Sequence, residues 1–444
     1  MRPLIISSVR TFLVSLALFH LAVCQARAIV YIDIYSPGFR PLPLAIANVP
    51  AEPGSACSDT GVTRGVAEVL AQDLEISGIA QILKPETFVV QEKDLKLHPE
   101  TVDYKAWSLI GAQALILVRV SCSGSDEVSI DGQLFDVLQG KLIVWKKYRA
   151  QRSLWRRLTH RFADEILEYL TGRKGGFQSQ IAYISDASGS KELYVMDCDG
   201  YGPRRLTNLH SICLVPAWSP KGTQIAFTSY VRRFPGIYIF DIQQSKVYQL
   251  LAGFSNLMTG PAWSPQANEI AFAANVKGNT ELFTVGLSQS KPVRLTDNWS
   301  IDVSPSWSPD GKSIVFVSDR GGHPDLYILK VGEGNARRLT FEGNYNAEPS
   351  WSPTGDWIAY ASQVGGVFQI FRIRPDGSGR TQLTSGPTDS NHPTWSPDGR
   401  LIAFSTRRLG NYNIHLVRFD GTGERRLTKE SHNALDPTWS PSME

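Results

Sequence analysis

The chain has 444 residues, of which 42% are hydrophobic, 10% aromatic and 20% charged. This composition is that of a globular protein and excludes long disordered or collagen-like structure. The 45 Lys and Arg residues nearly balance the 42 Asp and Glu residues, so the formal net charge of +3 argues against nucleic acid as a partner. At about 100–200 residues per domain, the length predicts two or three domains, or a repeat array with a smaller domain.

The first 28 residues predict an export signal. Arg2 and Arg10 supply positive charge, Thr11 to Val23 is an apolar run, and Ala26-Arg27-Ala28 has the pattern of a cleavage site. We therefore predict cleavage after Ala28. The apolar run is too short for a comfortable membrane span, and no later stretch approaches the roughly 20 apolar residues that a spanning helix needs. A buried N-terminal helix is the alternative interpretation.

The cysteines permit disulfides. Cys24 falls in the predicted signal, where Leu21-Ala22-Val23-Cys24 leaves a lipoprotein signal open as an alternative. The other four form an even number in an exported chain, and their segregation by region favours the pairs Cys57–Cys122 and Cys198–Cys213. Four separate buried thiols are the alternative. The chain has no CxxC motif, which argues against a zinc site or thioredoxin-like chemistry.

Residues 29–172 predict a small α/β domain. It opens with a strand-like segment, Ile29 to Ile34, and a Pro-rich stretch from Pro37 to Pro53. Apolar periodicity and glycine stops then predict helices at Asp59–Gly78, Tyr104–Ile110 and Ser153–Leu170, a strand at Ala114–Val120, and a hairpin of Val128–Val137 with Lys141–Tyr148. Basic residues cluster between Lys146 and Arg161. They indicate either a solvated helix face or a site for an acidic partner.

Residues 173–444 repeat with a period of about 44 residues. Trp-Ser-Pro begins at Trp218, Trp263, Trp307, Trp351, Trp395 and Trp439, and each interval holds four short β-rich segments separated by turn residues. Four strands in such a repeat are typical of a β-propeller blade, so we predict six blades. A strand near Ile181 lacks a preceding tryptophan, and Trp439 lacks a following strand. The C-terminal strand is therefore predicted to complete the first blade and close the ring.

Two residues of the repeat receive structural interpretations. The repeated tryptophan is predicted to pack between blades. The outermost segment usually reads Arg-Leu-Thr, and we interpret its arginine as part of a solvated edge without a ligand. These arginines are Arg205, Arg294, Arg338 and Arg426.

The two regions together resemble the TolB family, the periplasmic propeller components of the Tol-Pal envelope system. The resemblance is carried by Ala71-Gln72-Asp73-Leu74, Ala106-Trp107-Ser108, Leu170-Thr171-Gly172 at the domain junction, and the six Trp-Ser-Pro repeats. It implies a non-enzymatic periplasmic protein without catalytic residues, cofactor or metal. It also implies that the propeller binds the OmpA-like peptidoglycan-associated lipoprotein, and that the N-terminal side communicates with an inner-membrane TolA-like protein. The system supports outer-membrane integrity and constriction at division.

The loops that lead from the outermost strand of one blade to the innermost strand of the next rim the central opening. Mixed polar loops on a rigid ring are where such folds place recognition. The resemblance places the lipoprotein contact on this rim, and matching the positions one to four before each proline of the repeat extends it to Leu257, Gly260 and Val303. The predicted contact residues are Asn256, Leu257, Gly260, Asp302, Val303, Asn346, Glu348, Asn391, His392, Asn433 and Asp436.

The sequence disfavours two enzymatic functions and leaves one further binding function open. A serine hydrolase is disfavoured because the chain has no G-x-S-x-G motif. A metal-dependent propeller enzyme is disfavoured because His210, His392 and His432 lie at unequal distances before their prolines, although a bound cation in the channel stays open. A glycan-binding propeller is the alternative function, motivated by the rim aromatics Trp299 and Tyr345.

Overall fold

The computed structural model describes residues 39–443 apart from 56, 58, 59, 125, 252–256, 289, 290 and 430. The predicted signal and the strand-like segment at Ile29 to Ile34 lie outside the described residues. In the N-terminal region the elements are β1 (Leu42–Val49), α1 (Thr60–Ile76), β2 (Ala80–Ile82), α2 (Tyr104–Leu109), β3 (Ala114–Ser123), β4 (Glu127–Asp136), β5 (Lys141–Gln151) and α3 (Trp155–Thr171), with 3₁₀ turns at Pro85–Thr87, Glu92–Asp94, Pro99–Thr101 and Arg152–Leu154.

The N-terminal strands form one sheet of order β2-β1-β3-β4-β5, in which β1 runs parallel to β2 and β3 and the other pairs are antiparallel. The prediction missed β1, because prolines on both sides of it made the whole stretch look irregular. Pro43 is the second residue of β1, so it stands at the strand's start, where a missing N–H is tolerated. The six residues that follow it include five buried ones.

The helices α1 and α3 cover one face of this sheet. Val66, Leu70 and Leu74 of α1 and Phe162 and Ile166 of α3 are fully buried in one cluster with the sheet. The same cluster continues into propeller residues such as Tyr183 and Trp439, so the two regions share a core. Gly172 ends α3 in the left-handed conformation, with φ of 69°, as a glycine stop is expected to do.

Residues 180–439 form six four-stranded antiparallel sheets within the described part of the chain. Their innermost strands contact one another in cyclic order, which makes a closed six-bladed propeller as predicted. The sheets, from innermost to outermost strand, are β29 (Ala434–Trp439), β6 (Gln180–Ser185), β7 (Glu192–Asp197), β8 (Arg204–Arg205); β9 (Cys213–Trp218), β10 (Gln224–Arg232), β11 (Phe234–Asp241), β12 (Lys246–Leu251); β13 (Met258–Trp263), β14 (Glu269–Val276), β15 (Asn279–Gly286), β16 (Val293–Arg294); β17 (Asp302–Trp307), β18 (Ser313–Ser318), β19 (Asp325–Lys330), β20 (Ala336–Arg338); β21 (Asn346–Trp351), β22 (Ile358–Val364), β23 (Val367–Ile373), β24 (Thr381–Gln382); β25 (Ser390–Trp395), β26 (Leu401–Leu409), β27 (Asn411–Arg418), β28 (Arg425–Arg426).

The ends of the repeat array meet in one blade. The last strand, β29, pairs antiparallel with β6, with Trp439 opposite Ile181. The Trp439 indole also donates a 2.7 Å hydrogen bond from Nε1 to Ser179 Oγ. The sheet of this blade is therefore built from both ends of the repeats, and β29 covers the inner edge of β6.

The repeated tryptophans link neighbouring blades. The indole Nε1 of Trp263 donates to the Ala217 carbonyl of the preceding blade at 3.0 Å, and Trp395 donates in the same way to Ser350. Trp351 differs, because its indole donates to Gly355 within its own blade. An aromatic ring packed at the seam, with its N–H bonded across it, fixes the distance between blades.

A buried polar pair recurs inside the blades. The threonine of Arg-Leu-Thr donates its hydroxyl to an acidic or amide side chain at or near the start of the third strand. The pairs are Thr207–Glu192, Thr296–Glu281, Thr340–Asp325, Thr384–Gln369 and Thr428–Asn413. The β9–β12 blade has Leu251 and Gly236 at these positions, so both partners are replaced together.

The arginines of this segment correct one interpretation. Arg294 and Arg338 do not simply form a solvated edge, because each pairs with the buried carboxylate of its own blade. Arg294 Nη2 lies 3.0 Å from Glu281 Oε1, and Arg338 Nη2 contacts Asp325 Oδ2. The arginine thus neutralises a charge that is otherwise removed from water.

The disulfide prediction is half correct. Cys57 and Cys122 form a disulfide that ties the segment before α1 to β3. The predicted Cys198–Cys213 pair is wrong, since both are free and buried. Cys198 follows β7 and donates to the Phe177 carbonyl, whereas Cys213 begins the innermost strand of the next blade beside Ser229 Oγ. Proximity in sequence did not bring their sulfur atoms together.

Among the described residues, no helix combines the length and apolar character needed to cross a bilayer.

Candidate functional site

Each innermost strand of the propeller carries a bulge at the same place. The residue directly before the proline has a positive φ of 46–66°, and the pairing with the second strand shifts register there. A bulge adds one residue to a strand and redirects its side chain. Five of the six residues have a side chain, for which this conformation is uncommon. The six are Val215, Gly260, Ser304, Glu348, His392 and Asp436.

These six positions line one cavity of about 180 Å³ on the propeller axis. Their prolines line it too, as do hydroxyl groups such as Thr259, Ser306 and Thr394. All six blades contribute, so the cavity is the central channel at the level of the bulges. Backbone bulges on rigid strands hold the lining side chains in a fixed ring.

Three neighbouring blades make one side of this channel ionic. His392 Nε2 lies 3.0 Å from Glu348 Oε1 and 3.3 Å from Asp436 Oδ1. The His392 amide also donates to Glu348 Oε2 at 2.7 Å, and the Val215 amide donates to Asp436 Oδ2 at 3.1 Å. The two carboxylates therefore connect the bulges of successive blades. Asp436, in the blade that closes the ring, contacts the bulges of both neighbouring blades.

The two carboxylates keep His392 charged. Burial lowers the pKa of His392, but the attraction of Glu348 and then of Asp436 outweighs it and raises the pKa to about 10. Burial raises the pKa of Glu348, and the contact with His392 outweighs it, so the net direction is downward. The trio consequently presents one cation between two anions, with a net charge of about −1 at neutral pH.

The structure gathers four of the predicted contact residues in this channel. Gly260, Glu348, His392 and Asp436 all occupy the bulge position. Val215 and Ser304 share that position but were not among the predicted contact residues, because the match to the prolines was extended only to Leu257, Gly260 and Val303. The sequence could have predicted all six channel positions, because each is the residue directly before the proline of its repeat.

Several other predicted contact residues are used inside the blades. Asp302 is fully buried and pairs with Arg320 at 2.9 Å, and Asn346 is fully buried and donates to Asp325. Asn433 donates to both oxygens of Asp186. These three side chains position loops, and we remove them from the proposed contact set for that reason.

The remaining predicted residues are half-buried or outside the described part. Leu257, Val303 and Asn391 are half-buried at the inner strands or just before them. Asn256 lies outside the described residues. His210 and His432 are exposed on loops and do not line the channel, so the three histidines do not converge.

Exposed apolar side chains stand on the rim above the channel. Trp299 is 99% exposed and Phe341 73%, and Ile212, Ile301 and Tyr345 are exposed as well. They lie on the loops that lead into three of the innermost strands. Soluble proteins seldom leave such side chains grouped around one opening unless a partner covers them. A polar channel mouth with an apolar border is an arrangement suited to binding a partner.

Two family models match the chain. The model described as TolB beta propeller domain matches residues 167–443, and the one described as TolB amino-terminal domain matches residues 30–143. The chain is 37% identical over 215 residues to the Tol-Pal system protein TolB of Syntrophotalea carbinolica, covering 48% of each chain. It is 35% identical over 216 residues to the protein TolB homolog of Chlorobium chlorochromatii, covering 49% of this chain and 48% of that one. The aligned part spans about half the length of these curated relatives.

A solved structure extends the similarity over nearly the whole chain. The crystal structure of TolB from Acinetobacter baumannii superposes with a TM-score of 0.80 at 25% identity, covering 93% of this chain and 99% of that one. The similarity therefore includes the N-terminal region as well as the propeller.

Proposed function

The chain belongs to the TolB family, and from this membership we propose that it is a non-enzymatic periplasmic component of the Tol-Pal system. Its propeller binds the OmpA-like peptidoglycan-associated lipoprotein, and its N-terminal side communicates with a TolA-like inner-membrane protein. Through these contacts it supports outer-membrane integrity and constriction at division. The predicted export signal at Met1–Ala28 supports the periplasmic location.

One observation carries the proposal: the rim of exposed apolar side chains around the ionic channel mouth. Large apolar residues at the centre of an interface supply most of the binding energy once water is excluded. Ile301 and Tyr345 fit this role because they directly precede the innermost strands β17 and β21, at the edge of the opening. The Glu348–His392–Asp436 trio offers polar partners beneath them, which confer specificity.

Calorimetry with three variants tests the proposal. The protein is titrated with the soluble domain of the peptidoglycan-associated lipoprotein from the same source. We expect saturable one-to-one binding that weakens about tenfold or more for Tyr345→Ala and for Ile301→Ser. Val331→Ser is the matched control, because Val331 is an exposed apolar residue on the loop after β19, at the opposite end of the strands.

The outcomes separate the site from the function. Binding that is equally weakened by all three variants, or by none, would retain the lipoprotein as partner and remove the rim from the contact. No binding by folded wild-type protein would contradict the proposed function itself.

A glycan-binding propeller is the second candidate, and the extreme exposure of Trp299 favours it. An exposed indole offers a face on which a sugar ring can stack. Loss of peptidoglycan-fragment binding in Trp299→Ala would support this function. Absence of binding to any fragment by the wild-type protein would exclude it.

A further inference from the structure

A cluster of metal-ligating side chains lies where the N-terminal region meets the propeller. His160 comes from α3, Asp197 ends β7, and Asp199 stands in the turn after it. One ring nitrogen of His160 and one carboxylate oxygen from each aspartate lie within 4.8 Å of one another. None of these three residues lines the channel, so the cluster does not belong to the proposed lipoprotein site.

The histidine is already oriented as a ligand would be. Its Nδ1 lies 2.7 Å from Asp73 Oδ2 of α1, and both side chains are almost completely buried. Its Nε2 is buried and has no hydrogen-bond partner among the residues that the structure describes. A histidine ligand typically bonds a carboxylate through one ring nitrogen and turns the other to the metal. Asp73 therefore occupies the place of the outer-shell carboxylate.

An unpaired buried ring nitrogen costs free energy, and a cation resolves that cost. With Asp73 holding Nδ1–H, the neutral imidazole directs a lone pair from Nε2. A proton is one possible occupant: burial lowers the pKa of His160, but Asp73 outweighs it and raises the pKa to about 9. A proton on Nε2 would still lack an acceptor, whereas a metal ion would be shared with the two aspartates.

We propose that His160, Asp197 and Asp199 bind a divalent transition-metal ion, best matched by Zn²⁺, with Asp73 as the positioning residue. One imidazole nitrogen and two carboxylate oxygens are a ligand set that zinc accepts, leaving a fourth position for water. The side chain of Asp197 is 32% exposed, so an ion can enter from its side. Because the histidine and the aspartates come from different regions, the ion would tie α3 to the propeller.

Arg156 competes with a metal ion for both aspartates. Its Nε lies 3.9 Å from Asp197 Oδ2, its Nη2 contacts Asp199 Oδ2, and its guanidinium stacks 3.9 Å from the centre of the Tyr201 ring. Metal binding exchanges this guanidinium for the ion at the carboxylates. Removing the arginine should consequently strengthen metal binding, which no purely structural role for the cluster predicts.

Titration of the chelator-treated protein with Zn²⁺ by calorimetry, and with Co²⁺ by visible absorption, tests the proposal. We expect one equivalent of either ion and a Co²⁺ absorption band. Asp197→Asn and His160→Gln should weaken binding at least about tenfold, Asp73→Asn about 10- to 100-fold, and Arg156→Gln should tighten it. His432→Gln is the control for binding at an exposed histidine.

Each contrary result overturns the site. If wild type and Arg156→Gln bind neither ion, the cluster holds only a proton. If binding survives His160→Gln and Asp197→Asn but falls in His432→Gln, the ion is bound adventitiously at the surface. Circular dichroism on each variant establishes folding. Asp197→Asn is the decisive variant, because its partly exposed, isosteric change leaves the buried core intact.

Discussion

Arg418 at the end of β27 holds the C-terminus of α1 by two hydrogen bonds. Its Nε donates to the Ile76 carbonyl at 3.0 Å, and its Nη2 donates to the Glu75 carbonyl at 2.7 Å. The last carbonyls of a helix have no partner within the helix, so the propeller supplies one here. Gly78, with φ of 78°, passes so close that a Cβ would stand 2.9 Å from Arg418 Nε. The glycine stop and the arginine thus form one junction.

Replacement of Arg418 should weaken the docking of the N-terminal region on the propeller. In Arg418→Met we expect the free energy of unfolding to fall by about 1–3 kcal/mol, because two charge-assisted hydrogen bonds are lost. Urea unfolding measures this change. Arg407→Met is the control, since Arg407 donates only to the Gly410 carbonyl of its own exposed turn. Equal losses in the two variants would show that the junction contributes nothing specific.

The buried Thr384 should matter more to stability than the half-buried Thr381 three residues before it. In Thr384→Val, the Ile370 amide and Gln369 Oε1 lose their partner, and we expect a loss of about 1–3 kcal/mol by denaturant unfolding. Thr381→Val is the matched control, because its hydroxyl bonds only to Gly379 on the exposed outer strand. We expect that change to stay within about 0.5 kcal/mol. A larger cost for Thr381→Val would contradict the assigned role of the pair.

The two free thiols should be inert in the folded protein. Burial raises the pKa of Cys198 far above its usual value and that of Cys213 to about 12, so neither forms a thiolate at neutral pH. In a chain that begins at residue 29, we expect no reaction with a thiol reagent under native conditions and two reactive thiols after unfolding. Four reactive thiols in the unfolded, unreduced chain would show that Cys57 and Cys122 are not joined.

Loss of the disulfide should lower stability. A link between Cys57 and Cys122 closes a loop of 65 residues, and loops of this length restrict the unfolded chain by about 2–5 kcal/mol. Cys122→Ser should therefore lower the free energy of unfolding by an amount in that range, while Cys213→Ser is the control for replacing a buried sulfur. A smaller effect for Cys122→Ser than for Cys213→Ser would contradict the expectation.

The propeller could be predicted from its repeats, because each Trp-Ser-Pro motif marks the end of an innermost strand and the turn that follows it. The predicted helix at Ser153–Leu170 is observed at Trp155–Thr171 for a similar reason, since its apolar face has a clear helical period. Strand β1 was missed because Pro43 and its neighbours mask a buried run whose partners, β2 and β3, are distant in sequence.

The site was less predictable than the fold. Polarity alone selected Asp302 and Asn346, yet both are buried within blades. Asp302 pairs with Arg320 and Asn346 donates to Asp325, and both partners lie elsewhere in the sequence. Repeat phase would have selected all six channel positions, including Val215 and Ser304. The His160 cluster was not predictable, since Asp73 and His160 meet only where α1 packs on α3, and Asp199 joins them only when the propeller docks on the N-terminal region.

The channel trio should make stability depend on pH in a defined direction. The folded pKa of His392, about 10, lies above the 6.5 of a free imidazole, so its stabilising charge is fully present below pH 6.5 and is lost as the pH rises toward 10. The pKa of Glu348 is lowered, so its contribution is present above about pH 4.5 and is lost as the pH falls.

We therefore expect the difference in unfolding free energy between wild type and His392→Asn to be largest near pH 6 and to shrink by pH 10. Asparagine is chosen because it tolerates the positive φ of 52° at this bulge. Urea unfolding at pH 6, 8 and 10 measures the difference, with the exposed His432→Asn as control. A difference that stays constant across this range would mean that His392 is not held charged by Glu348 and Asp436.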